Sequence, residues 1–410
     1  MTQSLADEKE VDLIVDSIVT FVKREIVPIE EQFRSVLDDP RSMYDERGWP
    51  VSDYKKAHRL ARMAAADAGY YSLFAPVDLG GGGQGAVLTL HAWEAVYREF
   101  GPGRPLLDDV MGKWNRGPSG IIRGFSERLR REVAPRLLSG EDIFCFGMSE
   151  PEAGSDARAM TTRAERTDDG WKINGVKQWI SDSPYADHIL LFAVTDESAR
   201  QTRRAGLSAF FLPMDTPGVA VSSVIKLFGE IGGIRGILTF DDVRVPEDAL
   251  VGDLNDGLAL GVEGVSLGRL YNAGRGVGMS RWALEKATEY AKARKTFGHA
   301  ISDYQAIQFM LADSAMEIYA AWTMAMDCAR RLDAGEKLAK QVAMVKAFST
   351  DVTFDVMDRC IQIHGGMGLV NETRIQAGWH QARISRIADG SAEIMRRNIA
   401  RAVLAGDLGL

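Results

Sequence analysis

The periodicity of apolar residues changes twice along this chain, and those two changes constrain the fold more than any other feature. Up to about residue 139 the apolar positions recur at helical spacing. Leu13, Ile14, Ile18, Phe21 and Val22 share one face, and further amphipathic stretches surround 60–68 and 88–99. From about 142 to 252 short apolar runs take over, among them HILLFAVT, LSAFFLPM, GVAVSSVIKL and GILTFDDVRVP, separated by turn residues. Within WKINGVKQWI, Asn174-Gly175 stands between two such runs, a strong short-range signal that predicts a hairpin turn there. From about 257 helical spacing returns in long stretches, 262–294, 304–333, 338–364 and 391–406, with a shorter one over 374–386. Short links between long amphipathic helices imply an antiparallel bundle. The expected fold is α+β, with an N-terminal helical domain over 1–140, a middle antiparallel β domain over 141–255 and a C-terminal helical bundle over 256–410.

The 410 residues exceed what one simple core holds. A net charge of −8 argues against a nucleic-acid surface, which needs a basic field, but leaves room for a local basic pocket. Cys145, Cys328 and Cys360 are widely separated and odd in number, which fits a reducing compartment and neither a disulfide framework nor a metal site. The opening MTQSLADEKEVD is polar and acidic, unlike a secretory signal or a transit peptide. No apolar run approaches the ~18 residues of a membrane span, so a cytoplasmic protein is expected. The histidines at 58, 91, 188, 299, 364 and 380 show no metal spacing and are assigned structural roles. GGGGQG (80–85) lacks the GK[ST] of a phosphate loop and reads as a plain loop. FMLADSAMEIYAAWTMAM (309–326) reads as bundle core.

FGMSEPEAGSDA (146–157) opens the strand region with small residues and hydroxyls, through which a flat ligand could approach the backbone closely. By itself it also reads as a Ser-rich turn capped by Glu150 and Asp156, and Trp179 in KQWIS as core packing. The ordered set is more specific. SEPEAGSD (149–156), KQWIS (177–181), RKTFG (294–298) with Gln305, QIHGGMG (362–368) and ADGSAEI (388–394) together resemble the acyl-CoA dehydrogenase family of flavoproteins. FDDVRVPEDALVG (240–252) also looks like the family's linker between β domain and bundle, so the resemblance spans nearly the whole chain.

That resemblance implies an FAD-dependent α,β-dehydrogenation of an acyl-CoA thioester, with electron-transfer flavoprotein as acceptor. It implies that Phe146, Met148, Ser149, Gly154 and Ser155 lie at the isoalloxazine ring. Trp179 would pack on that ring with Ile180 beside it, and Ser181 would hydrogen-bond near N5. It further implies that Arg294, Thr296, Phe297 and Gln305 meet the pyrophosphate and adenine region of a neighbouring subunit's FAD, completed by Gln362, Gly365 and Gly366, in a homotetramer. A delocalised guanidinium suits pyrophosphate, and glycines allow close backbone approach. Outside that constellation Arg294 is a surface charge and Gly365-Gly366 a helix C-cap. Ser391 and Glu393 would close over the flavin, and Ser155, Arg269 and Gly390 would touch substrate; Arg269 also reads as a structural ion-pair partner.

RIADGSAEIM (386–395) holds the decisive residue, Asp389, directly before a glycine. Locally Asp389 or Ser391 reads as the cap of the helix that follows. In the family a carboxylate at this point removes the α-proton of the thioester while the β-hydrogen leaves as hydride to flavin N5. The enolate-like charge is held by the backbone N–H at the same residue and a ribityl hydroxyl. Preorganised donors of that kind supply roughly 3–4 kcal/mol each. Most relatives have Glu-Gly here; this chain has Asp-Gly. A second group carries the base in a segment matching VSLGRL (265–270), where this chain has Gly268 and so no side chain. Asp389 is therefore the expected base. Competing readings are a nitroalkane oxidase with an Asp base, an acyl-CoA oxidase using O2, and a non-catalytic subunit of a heteromeric dehydrogenase.

Overall fold

Strands and helices occupy the expected regions of the computed structural model, which describes residues 8–201 and 206–409. The long helices are α1 (Glu8–Phe21), α2 (Ser52–Asp67), α3 (Ala86–Phe100), α4 (Gly257–Ala293), α5 (Gln305–Asp333), α6 (Ala339–His364), α7 (Ile375–Ser385) and α8 (Ala392–Leu404). No helix among the described residues is long and apolar enough to cross a membrane. Backbone proximity divides the chain into two units. A sheet unit comprises Val22–Gly83 and Pro105–Val265, and a helical unit comprises Met1–Phe21, Gln84–Arg104 and Ser266–Leu410.

Among the described residues the sheet unit contains eight strands: β1 (Phe144–Gly147), β2 (Arg163–Thr167), β3 (Gly170–Ser181), β4 (His188–Val194), β5 (Leu207–Pro213), β6 (Val219–Ile225), β7 (Arg235–Pro246) and β8 (Leu250–Val251). They form one sheet in the order β6-β7-β3-β2-β4-β5-β8, with β1 paired to β4. Strand side chains alternate faces, and β4 is apolar on both. Leu190, Phe192 and Val194 enter one core with Phe125, Phe144 and Phe211. Ile189, Leu191 and Ala193 enter another with Trp171, Ile173 and Phe210. That double burial explains the unbroken run HILLFAV.

Two expectations change here. The sheet is mixed rather than antiparallel, because β1 and β2 each meet β4 in parallel. Long connections separate those strands, so no tight turn forces them to reverse. Nor does Asn174-Gly175 make a hairpin: β3 runs straight through it, and the turn lies at Asp168-Asp169, where Thr167 pairs with Gly170. Asn174 instead marks an irregularity against β7. Its amide donates to Asp242 Oδ1 at 3.0 Å and its Oδ1 accepts from the Asp242 N–H at 2.8 Å. Gly175 has φ +154°, and a Cβ there would meet Thr162 Oγ1 at 2.4 Å. The dipeptide signal was real, but tertiary pairing used it for a bulge.

In the loop 80–85 the amides of Gly81, Gly82 and Gly83 donate to the carbonyls of Pro76, Ser72 and Ala75, so they are spent on folding the loop back on itself.

The helical unit packs α3, α4, α5 and α6 around Leu90, Leu270, Ala273, Ala325, Met326, Ala329, Val342 and Val345. The start of α3 is capped from a distance: Asp333 accepts from the Ala86 and Val87 N–H groups at 2.7 and 3.0 Å. Two apolar expectations are corrected. Leu13 stands 71% exposed while Val11, Ile18 and Phe21 are the buried side of α1. The methionine-rich stripe is only half core: Ile318, Ala321, Ala325 and Met326 are buried, whereas Phe309, Met316 and Tyr319 are exposed. Apolar residues around the whole of a helix leave the neighbouring elements to decide which side is covered.

One polar cluster ties the sheet unit together. On α2, His58 and Arg62 are buried beside Asp109, which also accepts from Arg116 at 2.6 Å. Burial alone would push the Asp109 carboxyl up, but Arg116 and His58 hold it at about 2. This stabilisation is complete above the ordinary aspartate value near pH ~4 and is lost as pH falls toward 2. Asp109→Asn should remove the nearest counter-charge of buried Arg116, leaving it Asp182 at 3.5 Å, and lower unfolding stability by about 3 kcal/mol at neutral pH. Chemical denaturation would read that loss, and the variant should show a shallower fall in stability below pH ~4 than the wild type.

Candidate functional site

The turn over residues 386–391 connects α7 to α8. Ser391 caps α8, its Oγ accepting from the Ile394 N–H at 3.3 Å. The cap is therefore taken, and Asp389 is free for something else. Asp389 has φ +56° and Gly390 φ +92°. Left-handed backbone is unfavourable for a residue with a side chain, though Asp tolerates it better than most. Among the described residues nothing accepts from the Asp389 N–H, and Asp389 Oδ1 accepts no hydrogen bond.

Around this turn α4 and α6 place a polar cage. Asn272 donates to Asp389 Oδ2 at 2.6 Å, and Arg269 Nε donates to the Asp389 carbonyl at 3.3 Å. Lys346 Nζ donates to the Gly390 carbonyl at 2.7 Å. Arg275 donates to Asn272 Oδ1 at 2.9 Å, to Ser385 Oγ at 3.2 Å and to the Tyr271 hydroxyl at 2.6 Å. Burial raises the Asp389 carboxyl above the ordinary aspartate value, against the opposing pull of Asn272, Lys346, Arg275 and Arg269. Burial likewise brings Lys346 down to about 8, although Asp389 opposes it, and it lowers Arg269. Among the described residues this is a carboxylate with one bound and one open oxygen, set among three cations. Such a group can take a proton, and its surroundings can hold developing negative charge.

Of the predicted residues, the helical unit thus brings Arg269, Asp389 and Gly390 together. It does not bring in the RKTFG segment. Arg294 follows the end of α4, about 25 residues beyond Arg269, which is roughly 37 Å along a helix at 1.5 Å per residue. Beyond Arg294, β9 (Lys295–Thr296) and β10 (His299–Ala300) pair across a tip that presents Phe297 at φ +51° and 96% exposure. Gln305 begins α5 and is exposed. Gln362, Gly365 and Gly366 are exposed at the other end of α6 from its first turns, with Gly365 at φ +58° as the C-cap. Open space surrounds a Cβ built at Gly365 or Gly366. Glu393 lies exposed in the first turn of α8. His364 has the structural part assigned to it, stacked on Tyr290 and hydrogen-bonded to the Cys360 carbonyl at 2.8 Å.

In the sheet unit the two motifs meet. Between the pairs Lys177–Leu238 and Ile180–Gly236, β3 has two residues where β7 has one. At this bulge Trp179 takes φ +65° and stands 51% exposed, so it is not core packing. The Gln178 N–H donates to the Ser149 carbonyl at 2.9 Å and ties the SEPEAGSD loop to the bulge. Behind it Lys177, fully buried, donates to Glu150 Oε1 at 2.7 Å and to the Met148 carbonyl at 3.2 Å. Glu150 also accepts from the Thr161 and Thr162 N–H groups at 2.6 and 3.0 Å. Burial pushes the Glu150 carboxyl up, but Lys177 and these bonds hold it at about 2. Phe146 and Met148 are half-buried against the core, Phe146 edge-on to Trp114. Ile180 is buried, and Ser181 closes β3 opposite Arg235. Gly154 and Ser155 are exposed, with Asp156 capping the short turn after them.

The sequence reading missed Asn272, Arg275, Lys346 and the Glu150–Lys177 pair. Arg269, Asn272 and Arg275 recur every three residues along one face of α4, a polar stripe that could have been noticed. Lys346 carries no local signal, since only burial distinguishes it from any helix lysine.

Residues 145–243 match the acyl-CoA dehydrogenase middle domain and residues 255–404 the acyl-CoA dehydrogenase C-terminal domain. The chain is 31% identical over 390 residues to the human mitochondrial short-chain specific acyl-CoA dehydrogenase, covering 95% of this chain and 88% of that protein. It is 30% identical over 339 residues to the caffeyl-CoA reductase–Etf complex subunit CarC of Acetobacterium woodii, covering 83% and 88%. Butyryl-CoA dehydrogenase from Megasphaera elsdenii superposes with a TM-score of 0.80 at 25% identity, covering 98% of this chain and all of that one. The fold and these matches define a flavoprotein oxidoreductase. The chain belongs to the acyl-CoA dehydrogenase family and acts on acyl-CoA.

Lys177→Met would strand Glu150 in the interior and should lower stability by about 3–5 kcal/mol, whereas pairing it with Glu150→Gln should recover much of that loss. A denaturant titration of the single and double variants reads the difference.

Proposed function

We propose that this enzyme removes the α-proton of an acyl-CoA thioester with Asp389 as the base, in an FAD-dependent α,β-dehydrogenation. One observation carries this reading. Asp389 is not the cap of α8, yet it is held in a left-handed turn with one carboxylate oxygen bound by Asn272 and the other open. Arg269, Arg275 and Lys346 surround it, and its own N–H is unused among the described residues. The carboxylate accepts the proton, while the free N–H and the nearby cations lower the energy of charge on the thioester oxygen. Raising the carboxyl by burial brings its basicity closer to what proton abstraction needs.

The residues of the chain fit FAD. An indole half-exposed on a bulge, beside the tethered Ser149 loop with Ser155 exposed, presents a flat apolar face with hydroxyl donors around it. Phe146, Met148, Ser149, Gly154, Ser155, Trp179, Ile180 and Ser181 would hold the ring end. When bound, FAD supplies the acceptor for the hydride that leaves the β-carbon, so the products are the α,β-unsaturated acyl-CoA and reduced flavin. Arg294, Phe297 and Gln305, with Gln362, Gly365 and Gly366, are exposed, and Thr296 is half-buried beside Phe297 in the β9–β10 hairpin. They suit the dinucleotide end of a neighbouring subunit's FAD, and the assembly is a homotetramer in this reading. Ser391 and Glu393 would close over the flavin; Ser155, Arg269 and Gly390 would contact substrate. Electron-transfer flavoprotein is the proposed acceptor, supported by the relative named as an Etf-complex subunit. Three buried free thiols fit a reducing, cytoplasmic setting.

Asp389→Asn keeps shape and cap but removes the proton acceptor. Flavin content should persist while the rate of flavin reduction by acyl-CoA falls roughly 10²–10⁴-fold, and reduction at the wild-type rate would eliminate Asp389 as base. In the wild type the acid limb of kcat/KM should lie above the ordinary aspartate value near pH ~4, because the raised carboxyl is protonated, and inactive, below its own midpoint. A panel of acyl-CoAs and nitroalkanes tested for flavin reduction in the absence of O2 separates the dehydrogenase from an oxidase of nitroalkanes.

Purified protein should carry about one FAD per chain. Arg294→Ala should weaken flavin retention and tetramer stability together, read by absorbance and light scattering. A stable FAD-saturated monomer would contradict the cross-subunit site.

A further inference from the structure

Asn272 is 4% exposed and Arg275 9%, and both belong to the face of α4 that meets the Asp389 turn. We propose that Asn272, locked in orientation by Arg275, is a positioning residue that aims the Asp389 carboxylate at the substrate and leaves Oδ1 as the oxygen that takes the proton. This rests on Asp389 being the base.

An asparagine amide can sit in two orientations, and here only one is satisfied. Its Nδ2 faces Asp389 Oδ2 at 2.6 Å and its Oδ1 faces a guanidinium nitrogen of Arg275 at 2.9 Å. Flipped, the amide would set its NH2 against the donors of Arg275 and its oxygen against a carboxylate, losing both bonds. Arg275 can enforce this because it is itself fixed. It donates to Tyr271 Oη and Ser385 Oγ, and its guanidinium lies over the Tyr271 ring at 4.6 Å. The device answers a specific difficulty. Aspartate is one methylene shorter than glutamate, and an error of about 1 Å in a reacting group can cost ~10²-fold. A donor that binds one oxygen removes the rotation that would otherwise leave the short carboxylate misdirected. The charged groups facing Asp389 are Arg269 and Arg275 from α4 and Lys346 from α6, while Asp351 and Glu393 act on Lys346. Loss of the Asn272 bond therefore leaves the cations in place and isolates the amide's contribution.

The test uses the FAD-loaded enzyme. Asn272→Leu should slow flavin reduction by butyryl-CoA about 10–100-fold, the worth of one hydrogen bond to a charged group, with KM little changed. The acid limb of kcat/KM should move to higher pH, because the carboxylate has lost a donor that favours its charged form. Asn272→Asp, nearly the same shape, should move that limb the same way by placing a second acid beside the first, and it carries the test if the leucine variant does not fold. Arg275→Met should release the Asn272 amide and also remove a cation, so the double variant should be no worse than Arg275→Met alone. A folded, flavin-replete variant at position 272 with the wild-type rate and acid limb would overturn the proposal. The two readings fail separately. An active Asp389→Asn removes the base itself, whereas an inactive Asp389→Asn beside an unchanged Asn272→Leu removes only the positioning role.

Discussion

A carboxylate shielded from water has to be compensated by the protein around it, and the extent of compensation distinguishes buried Asp109 and Glu150 from half-buried Asp389. Asp109 and Glu150 are over-compensated: a guanidinium or ammonium at 2.6–2.7 Å and further donors hold both near 2 despite burial. They stay charged at any ordinary pH and serve as ties. Asp389 is under-compensated. Its nearest side-chain donor is a neutral amide, its cations bind backbone carbonyls or the amide rather than its oxygens, and its carboxyl stays raised. An acid kept short of full compensation can exchange a proton with a ligand; one saturated with donors cannot.

The sheet unit shows a second use of imperfect regularity. A strand that paired perfectly would turn successive side chains to fixed faces, and Trp179 would have been fixed by the pleat. One extra residue in β3 turns it outward instead, and the same bulge gives the Gln178 N–H to the Ser149 loop. The buried Lys177–Glu150 pair lies behind both segments and gives them a common anchor. The indole and the serines are thus held by one local construction rather than by two independent loops.

Parts of the candidate site were legible without coordinates, but unevenly. Ordered motifs pointed to Asp389, Trp179 and the SEPEAGSD loop, since each depends on short-range spacing and on residue types with unusual backbone demands, such as Asp-Gly at positive φ. Asn272, Arg275 and Lys346 were not read, because a polar residue on a helix is ordinarily solvated and only the packing of α4 and α6 around the turn removes that water. The choice between cap and base at residues 389 and 391 was open for the same reason: both residues cap well, and only the fold shows Ser391 bonded to Ile394. Asn174-Gly175 was misread as a hairpin because the dipeptide reports only a local willingness to bend.

By itself, then, the sequence determined the succession of helical, strand and helical regions and the presence of an acid before a glycine. Both follow from periodicity and backbone preference within a few residues. The mixed pairing of the sheet, the exposed side of the methionine-rich helix and the ionisation of each buried acid were decided only in the tertiary structure. Pairing direction, burial and desolvation depend on neighbours that are distant in the chain, and no local pattern encodes which of them will arrive.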